Sequence, residues 1–311
     1  MHWRRVTREE GVGPYAELWN LEYPDDKRSK NEVDGMYAGM TPGSFEEHWI
    51  ADEDALTCVL PAYDIRGTDP VENLSVEVVV HPDRESLFQG AFDFAEEIWK
   101  RSGAKSISVW SSDRHSSRNE DLEDRGFKLI QKVPMTRLDL STFDSAPFRE
   151  KKGQVEQQGI RLTTVQHIED EGFDWIPKLH EAAWEMVQDM PQSHDPVQPP
   201  IEHYRQMLEN RFVYDRTLMF VALHKDRIVA YSRVTAGEAM PKIARTGLSG
   251  VVRDHRRQGI ITALKVMQAE TLKAKGFKQI QTDNDVRNPM YQLNLALGFK
   301  DLWNWLQFEK K

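Results

Sequence analysis

Four basic side chains stand where an α-helix is predicted to begin. Arg253, His255, Arg256 and Arg257 immediately precede an amphipathic helix pattern at residues 259–275. A helix start carries unpaired backbone N–H groups and about half a positive charge, so it attracts anions and disfavours cations. The pattern therefore predicts a bound polyanion at this turn.

The turn offers two kinds of anion ligand. We expect Gly259 to let the backbone approach a phosphate closely, and Arg256 and Arg257 to add charge-assisted hydrogen bonds. Backbone N–H contacts are predicted from Gln258, Gly259, Ile260, Ile261 and Thr262. The alternative is a solvated basic turn that Asp254 and other nearby carboxylates balance.

Other phosphate and metal motifs are absent from the sequence. It contains neither G-x-x-x-x-G-K-S/T nor G-x-G-x-x-G. The histidines are not spaced as metal ligands on one element, so no metal site is expected. The single cysteine, Cys58, excludes an internal disulfide and is expected to lie in the core.

Composition limits the classes of function. The chain has 311 residues, 39% hydrophobic and 29% charged, which is typical of a globular protein of about two domains. A formal charge of −9 argues against a nucleic-acid-binding protein and favours a cationic small molecule as ligand. No apolar run is long enough for a membrane span and the first residues lack a signal-peptide pattern, so we expect a cytoplasmic protein.

The sequence contains an internal repeat. In each half a strand-like run leads into a helix pattern, a second strand and a Gly-Phe pair. Three landmark pairs lie 171, 173 and 172 residues apart: Val80 and Val251, Gly103 and Gly276, and Gly126 and Gly298. A nearly constant offset indicates duplication.

The alternation of strands and helices predicts an α/β or α+β fold, with helices on the faces of a sheet. The predicted domains are residues 1–148 and 160–311, joined by a polar linker at residues 149–159. A Pro-rich segment, residues 193–200, is predicted to be a loop that covers a site. The remaining predicted elements are strands at 75–82, 105–110, 160–165, 218–224, 228–235, 248–252 and 278–282, and helices at 87–103 and 174–187.

The run RRQGII at residues 256–261 resembles the GNAT superfamily of N-acetyltransferases, whose signature is Q/R-x-x-G-x-G/A. It matches at Arg256 and Gly259 and departs at Ile261. Downstream, TDNDVRN, MYQLN and LGF are similar to the last strand and helix of tandem GNAT proteins. The resemblance implies two tandem GNAT-like domains, each a mixed, mostly antiparallel sheet flanked by helices.

The resemblance also implies a cosubstrate and its contacts. Acetyl-CoA would bind at the basic turn, and a backbone N–H among Gly250, Val251 and Val252 would contact the oxyanion. Asn284 and Asn294 are further candidates for hydrogen bonds to CoA. Asn288, which precedes a proline, is instead expected to cap the last helix.

Catalytic side chains are less clearly marked. Glu238 is the acid that most closely precedes the strand before the turn, and it is the candidate general base. Many GNATs carry a Tyr five residues before the Phe of the Gly-Phe pair, but that position here is Asn294. Tyr291, one helical turn earlier, is the substitute candidate for the general acid.

The first copy differs from the second where the cosubstrate would bind. Aligned on Val80 and Val251, Glu85 replaces Arg256 and Phe88 replaces Gly259. A carboxylate and a bulky ring would both exclude a phosphate, so we predict a degenerate first copy.

The predicted function is an acetyl-CoA-dependent N-acetyltransferase that acetylates a primary amine of a small molecule, as a monomer or homodimer. One alternative is a non-catalytic CoA-binding regulatory or interaction protein. Another is that the arginines bind a different anionic partner. An amino acid, polyamine, aminoglycoside, thiol-sugar amine or protein N-terminus all fit the sequence as acceptor.

Overall fold

The computed structural model describes residues 2–37, 40, 43–52, 56–64, 67–192, 195–210 and 213–311. Its contacts divide the chain into two units. Unit 1 comprises Met1–Val133, Glu238–Met240 and Trp303–Lys311, and unit 2 comprises Pro134–Gly237 and Pro241–Leu302.

Strands and helices alternate along most of the chain. In chain order they are β1 (Trp3–Val6), α1 (Arg8–Glu22), α2 (Lys30–Tyr37), β2 (Glu46–Asp52), β3 (Leu56–Tyr63), β4 (Asn73–Val76), β5 (Val79–Val80), α3 (Phe88–Ser102), β6 (Ser106–Ser112), α4 (Ser116–Asp124), β7 (Lys128–Asp139), α5 (Arg149–Gln157), β8 (Ile160–Thr164), α6 (Val165–Asp170), α7 (Trp175–Gln188), α8 (Ile201–Glu209), β9 (Met219–His224), β10 (Arg227–Ala236), β11 (Ile243–Val251), α9 (Ile260–Ala274), β12 (Gln279–Asp283), α10 (Pro289–Ala296) and β13 (Lys300–Lys310).

Unit 1 has the strand order β1-β2-β3-β4-β6-β13, with β5 paired to β3. Its neighbouring strands are antiparallel except β4 and β6, which are parallel. Helix α3 buries Phe88, Phe92 and Ile98 in the core of this unit, and Cys58 lies in the same core as expected. Burial raises the pKa of the Cys58 thiol.

Unit 2 has the strand order β7-β12-β11-β10-β9-β8. Again one pair is parallel, β11 with β12, and the others are antiparallel. Helix α9 packs its apolar residues, such as Ile260 and Leu264, into the core of this unit. The strand pairing in each unit is therefore mixed and mostly antiparallel, as the resemblance to GNAT proteins implies.

The units do not end where the sequence places the domain boundaries. From Pro134 onward β7 belongs to unit 2, where Leu138 pairs with Ile280 of β12. The end of the chain belongs to unit 1, where Trp305 of β13 pairs with Ser112 of β6. Each half of the chain thus supplies its last strand to the unit formed mainly by the other half.

Two local predictions also differ from the structure. The predicted linker at 149–159 contains helix α5, which buries Val155 in the core of unit 2. A single buried residue in nine leaves too weak a periodicity to recognise. The strand predicted at 75–82 is split, because β4 pairs with β6 and β3, whereas β5 pairs with β3.

Within the described residues, every helix is too short or too polar to cross a bilayer. The same residues contain no group of three or more His, Cys, Asp or Glu side chains that could hold a metal ion.

Candidate functional site

The basic turn joins β11 to α9 through two residues in the left-handed conformation. After a 3-10 turn at Arg253–His255, Arg257 has φ 61° and Gly259 has φ 80°. A non-glycine residue in this region is strained, and such strain is frequent at functional sites. Gly259 precedes α9 directly, and its position provides no side-chain cap for the helix.

The first N–H groups of α9 remain available to a ligand. Ala263 is the first to bond back into the helix, donating to the Gly259 carbonyl at 3.0 Å. No described residue accepts a hydrogen bond from the backbone N–H groups of residues 258–262. The five predicted backbone contacts are therefore gathered at one uncapped helix start, which is favourable for an anion.

Asp189, at the end of α7, binds two of the turn's arginines. It accepts two hydrogen bonds from Arg253, each at 2.8 Å, and one from Arg256 Nη2 at 2.6 Å. Arg256 also donates from Nε to the Val251 carbonyl at 3.0 Å. Chiefly through the hydrogen bonds from Arg253, the pKa of Asp189 is lowered to about 2. Arg256 is therefore fixed beside the turn with part of its charge already compensated.

Asp254 compensates a second group of cations. It accepts a hydrogen bond from Arg227 at 2.6 Å and lies 2.7 Å from His255 Nδ1. His255 Nε2 lies 2.9 Å from His224 Nδ1. Asp254 and Asp189 therefore balance part of the cluster, which is the charge compensation that the alternative of a solvated basic turn requires.

Two cations at the turn have no carboxylate partner among the described residues. Arg257 is exposed and makes no ion pair with them, and neither does Lys151 of α5. The aliphatic chain of Lys151 lies against Gly259, because a Cβ added to Gly259 would approach Lys151 Cγ to 2.9 Å. Sequence reasoning does not identify Lys151 as a site residue, because its segment resembles a linker.

The strand edge before the turn is open. β11 pairs with β12 only from Ile243 to Arg245, whereas β12 pairs with β7 along its whole length, Gln279–Asp283. On the β10 side the register shifts between Ser232 and Val234, so β11 contains a bulge. After Arg245, one edge of β11 consequently has no partner strand among the described residues.

The three candidate oxyanion donors are not equivalent. The Val252 N–H donates to the Val229 carbonyl of the β10 side at 3.0 Å. Because N–H directions alternate along an antiparallel strand, the Gly250 N–H also points toward β10 and the Val251 N–H points to the open edge. Val251 is the suitable donor, and the predictions for Gly250 and Val252 as donors are not supported. Gly250 instead packs against Met186 of α7.

Asn284 and Asn294 contact each other. Asn294 Nδ2 donates to Asn284 Oδ1 at 2.7 Å. Asn294 is 0% exposed, and its Oδ1 has no partner among the described residues. The Asn294 side chain is therefore buried within unit 2 and does not lie on the exposed surface of α10. Asn288 accepts a hydrogen bond from the Met290 N–H at 2.9 Å, which confirms its role as a helix cap.

The two catalytic candidates are both engaged elsewhere. Glu238 belongs to unit 1, where its carboxylate accepts hydrogen bonds from Ser29 Oγ at 2.6 Å and Asn31 Nδ2 at 3.1 Å. Tyr291 donates its hydroxyl to Asp301 at 2.9 Å. Partial burial and this carboxylate raise the pKa of Tyr291, which makes it a weaker acid. Both side chains are therefore hydrogen-bonded to residues outside the basic turn.

A cavity of about 200 Å³ lies in unit 2 beside β10 and β11. Residues of helices α7 and α8 line it, together with Leu248 of β11. Part of the predicted loop belongs to the lining, namely Val197, Gln198 and Pro199. Residues 193 and 194 of that loop lie outside the described residues. The Pro-rich composition was the sequence signal for this cavity, but its wall residues gave none.

The corresponding turn in unit 1 has different contacts. Glu85 accepts two hydrogen bonds from Arg118, each at 2.6 Å, and Arg118 also donates to Glu22 at 2.8 Å. The Arg118 guanidinium lies over the Phe88 ring, 4.9 Å from its centre. Side chains of unit 1 itself therefore occupy the helix start that is open in unit 2.

Comparison with known proteins gives a fold but no close relative. No model of a known protein family matches the sequence, and no curated protein matches it. A GCN5-related N-acetyltransferase from Sphaerobacter thermophilus is similar in structure, with a TM-score of 0.71, 18% identity, and coverage of 99% of this chain and 95% of that one.

Two further solved structures cover the whole length. One is a tandem GNAT protein from the clavulanic acid biosynthesis pathway, determined without acetyl-CoA, with a TM-score of 0.72, 17% identity and coverage of 99% and 98% of the two chains. The other is a GNAT-family acetyltransferase from Colwellia psychrerythraea, with a TM-score of 0.64, 13% identity and full coverage of both chains. At these identities the comparison establishes the fold, and the chain has the tandem GNAT fold.

Proposed function

We propose that the protein is an acetyl-CoA-dependent N-acetyltransferase that acetylates a primary amine of a small molecule. The observation that carries the proposal is the uncapped start of α9, where Arg257 and Gly259 are both left-handed and free N–H groups converge. Because the chain has the tandem GNAT fold, we expect an N-acetyltransferase site at such a turn.

The residues at this turn are suited to the phosphates of CoA. The backbone of residues 258–262 would hold phosphate oxygens, and the uncompensated charges of Arg257 and Lys151 would add to the attraction. Arg256, fixed by Asp189, would shape the turn and contribute less charge. Gly259 is required for its φ of 80° and for the close approach of Lys151.

Acetyl transfer consists of three chemical changes. The amine nitrogen bonds to the acetyl carbon, the carbon–sulfur bond breaks, and the proton lost by nitrogen ends on sulfur. The Val251 N–H, directed to the open edge of β11, would stabilise the oxyanion. We also propose Glu238 as the base and Asn284 and Asn294 as CoA contacts, although each of these side chains is already hydrogen-bonded within its own unit. Tyr291, the candidate acid, is disfavoured because its hydroxyl already donates to Asp301 and its pKa is raised.

The first copy would not bind a second CoA. Arg118 already holds Glu85 in a bidentate pair and covers Phe88, so an incoming phosphate would meet a carboxylate and a ring. We propose a packing or substrate-shaping role for unit 1.

A non-catalytic CoA-binding protein is the second candidate. It is favoured by the hydrogen bonds that occupy both catalytic candidates, Glu238 and Tyr291. Turnover separates the two functions, because only the enzyme releases free CoA thiol faster when an amine is added.

Thermal shift and thiol release test the proposal. Acetyl-CoA should raise the Tm of the parent protein, Arg256→Glu should reduce that rise, and Glu85→Gln in the first copy should leave it unchanged. The same proteins are then incubated with acetyl-CoA and a broad amine panel while free thiol is followed. No Tm rise in the parent protein overturns the cosubstrate assignment, and a rise without amine-dependent thiol release favours the binding protein.

A further inference from the structure

Two elements, β11 and α7, connect the cavity beside β10 and β11 to the basic turn. On β11, Leu248 lines the cavity and Val252 precedes the turn, four residues or about 13 Å later. On α7, Trp184 lines the cavity, and Asp189 at the end of the helix binds Arg256. A group held in this cavity therefore lies on the same strand that leads to the proposed CoA site.

The lining carries a single formal charge, and it is positive. Among the described lining residues the only Lys, Arg, Asp or Glu is Arg233 of β10. Arg233 donates from Nη1 to the Val213 carbonyl at 2.8 Å and lies 4.6 Å from the centre of the Tyr214 ring. It makes no ion pair with any described residue. A guanidinium with unused donors in an apolar cavity is suited to a bidentate carboxylate.

The rest of the lining is apolar or aromatic. Trp184, Val187, Met207 and Leu248 provide hydrophobic surface. Burial raises the pKa of the Tyr204 and Tyr231 hydroxyls, so both are neutral at physiological pH. Neither hydroxyl makes a hydrogen bond to another described residue, and both are therefore available as donors.

The Pro-rich segment that lines the cavity is held to helix α7, which lines it too. His180 of α7 lies 2.8 Å through Nε2 from the Pro199 carbonyl, and its ring lies 5.0 Å from the Tyr204 ring. At about 200 Å³ the cavity is smaller than the roughly 300 Å³ of most drug-sized pockets. The volume of the cavity favours a small ligand.

We infer that this cavity binds the acceptor, and that the acceptor is a small amine bearing a carboxylate and an apolar or aromatic body, as an α-amino acid does. The inference rests on the proposed function and narrows it. Arg233 would bind the carboxylate and act as a specificity-determining residue. The overall negative charge of the chain suggested a cationic acceptor, but the cavity has no carboxylate among its described lining to receive a polyamine or an aminoglycoside.

The test compares matched acceptors that differ only at the carboxylate. Alanine, valine, leucine, phenylalanine and tryptophan are each assayed against their carboxamides, with spermidine as the polycationic reference. For at least one pair, kcat/KM for the acid should exceed that for the amide by tenfold or more. The acid should also stabilise the CoA-saturated protein against heat more than its amide does.

Three variants test whether Arg233 causes the preference for the acid over the amide. Arg233→Met should reduce the acid-to-amide ratio to about one, and Arg233→Lys should retain part of it. Arg205→Met, on the exposed face of α8 outside the described lining, is the matched control and should retain the full ratio.

The outcomes separate this inference from the proposed function. If acetyl-CoA gives no Tm rise, the proposed function fails and the acceptor assignment with it. If acetyl-CoA binds but every amide equals or exceeds its acid in both assays, or spermidine is the best acceptor, only the carboxylate assignment is overturned. An acid preference that survives in Arg233→Met also overturns it.

Discussion

Arg256 Nη2 donates to Asp189 Oδ2 at 2.6 Å, although the two residues lie 67 positions apart in the sequence. The same carboxylate binds Arg253 through two hydrogen bonds of 2.8 Å. This carboxylate changes the significance of the basic cluster. The arginine that matches the GNAT signature fixes the turn, and its neighbour Arg257 is left with an uncompensated charge.

Arg257→Gln should weaken acetyl-CoA binding more than Arg256→Gln does. Removal of a charge-assisted hydrogen bond from Arg257 should reduce the affinity for acetyl-CoA about tenfold. Asp189 already compensates Arg256, so we expect a change below about threefold there. Isothermal titration at two salt concentrations measures both. Equal losses, or a larger loss for Arg256→Gln, would contradict the division of roles.

Gly259→Ala should abolish the acetyl-CoA stabilisation, because an L-residue at φ 80° is strained and its Cβ would displace Lys151. The strain costs about 1–2 kcal/mol of folding free energy. Gly276→Ala is the matched control: its φ is 86°, and an added Cβ would meet nothing within 4 Å. Both variants should lose similar stability in urea, but only Gly259→Ala should lose ligand binding. Loss of binding in both variants would show that the effect is general destabilisation.

Lys265→Met should stabilise the protein. Lys265 lies in α9, is 4% exposed and makes no hydrogen bond or ion pair with another described residue. Burial lowers its pKa from 10.5 to about 8, which corresponds to a penalty of roughly 3 kcal/mol at pH 7. Leu138, Ile280 and Phe299 are among its apolar neighbours and can accept a Met side chain.

The pH dependence provides the control for Lys265. Below pH 8 the amine is protonated in both the folded and the unfolded chain, so the penalty is fully present. Between pH 8 and 10.5 the unfolded chain binds more protons, so parent stability rises relative to the variant. Urea unfolding at pH 7, 9 and 10 should show the difference between the two proteins narrowing. A constant difference would contradict the assigned pKa.

Tyr291→Phe tests the candidate acid. If Tyr291 protonated the CoA thiolate, kcat would fall by about 100-fold or more. Because its hydroxyl donates to Asp301 and its pKa is raised, we expect a loss below about threefold. Steady-state kcat measured from pH 6 to 9 distinguishes the two. A large loss restricted to kcat, with the KM values unchanged, would restore the acid role.

Local features of the site could be predicted from the sequence because local physical chemistry sets them. A glycine and a basic cluster before an apolar helix pattern indicated the turn at Gly259, and that turn starts α9. The N-cap at Asn288 followed from its position before a proline. The repeat at an offset near 172 residues corresponds to two units that each contain one parallel strand pair.

Sequence by itself therefore determined the tandem fold, through the repeat and the resemblance. It also determined the place of the turn at which we propose an anion binds, since helix ends and left-handed glycines depend on neighbours within a few residues. Only the tertiary structure decided which charges remain free. Asp189 compensates Arg256, Lys151 lies against Gly259, and Arg233 has no carboxylate partner among the described residues of an apolar cavity. These contacts join residues far apart along the chain, and their charges balance only once the sheet and helices have brought them within hydrogen-bonding distance.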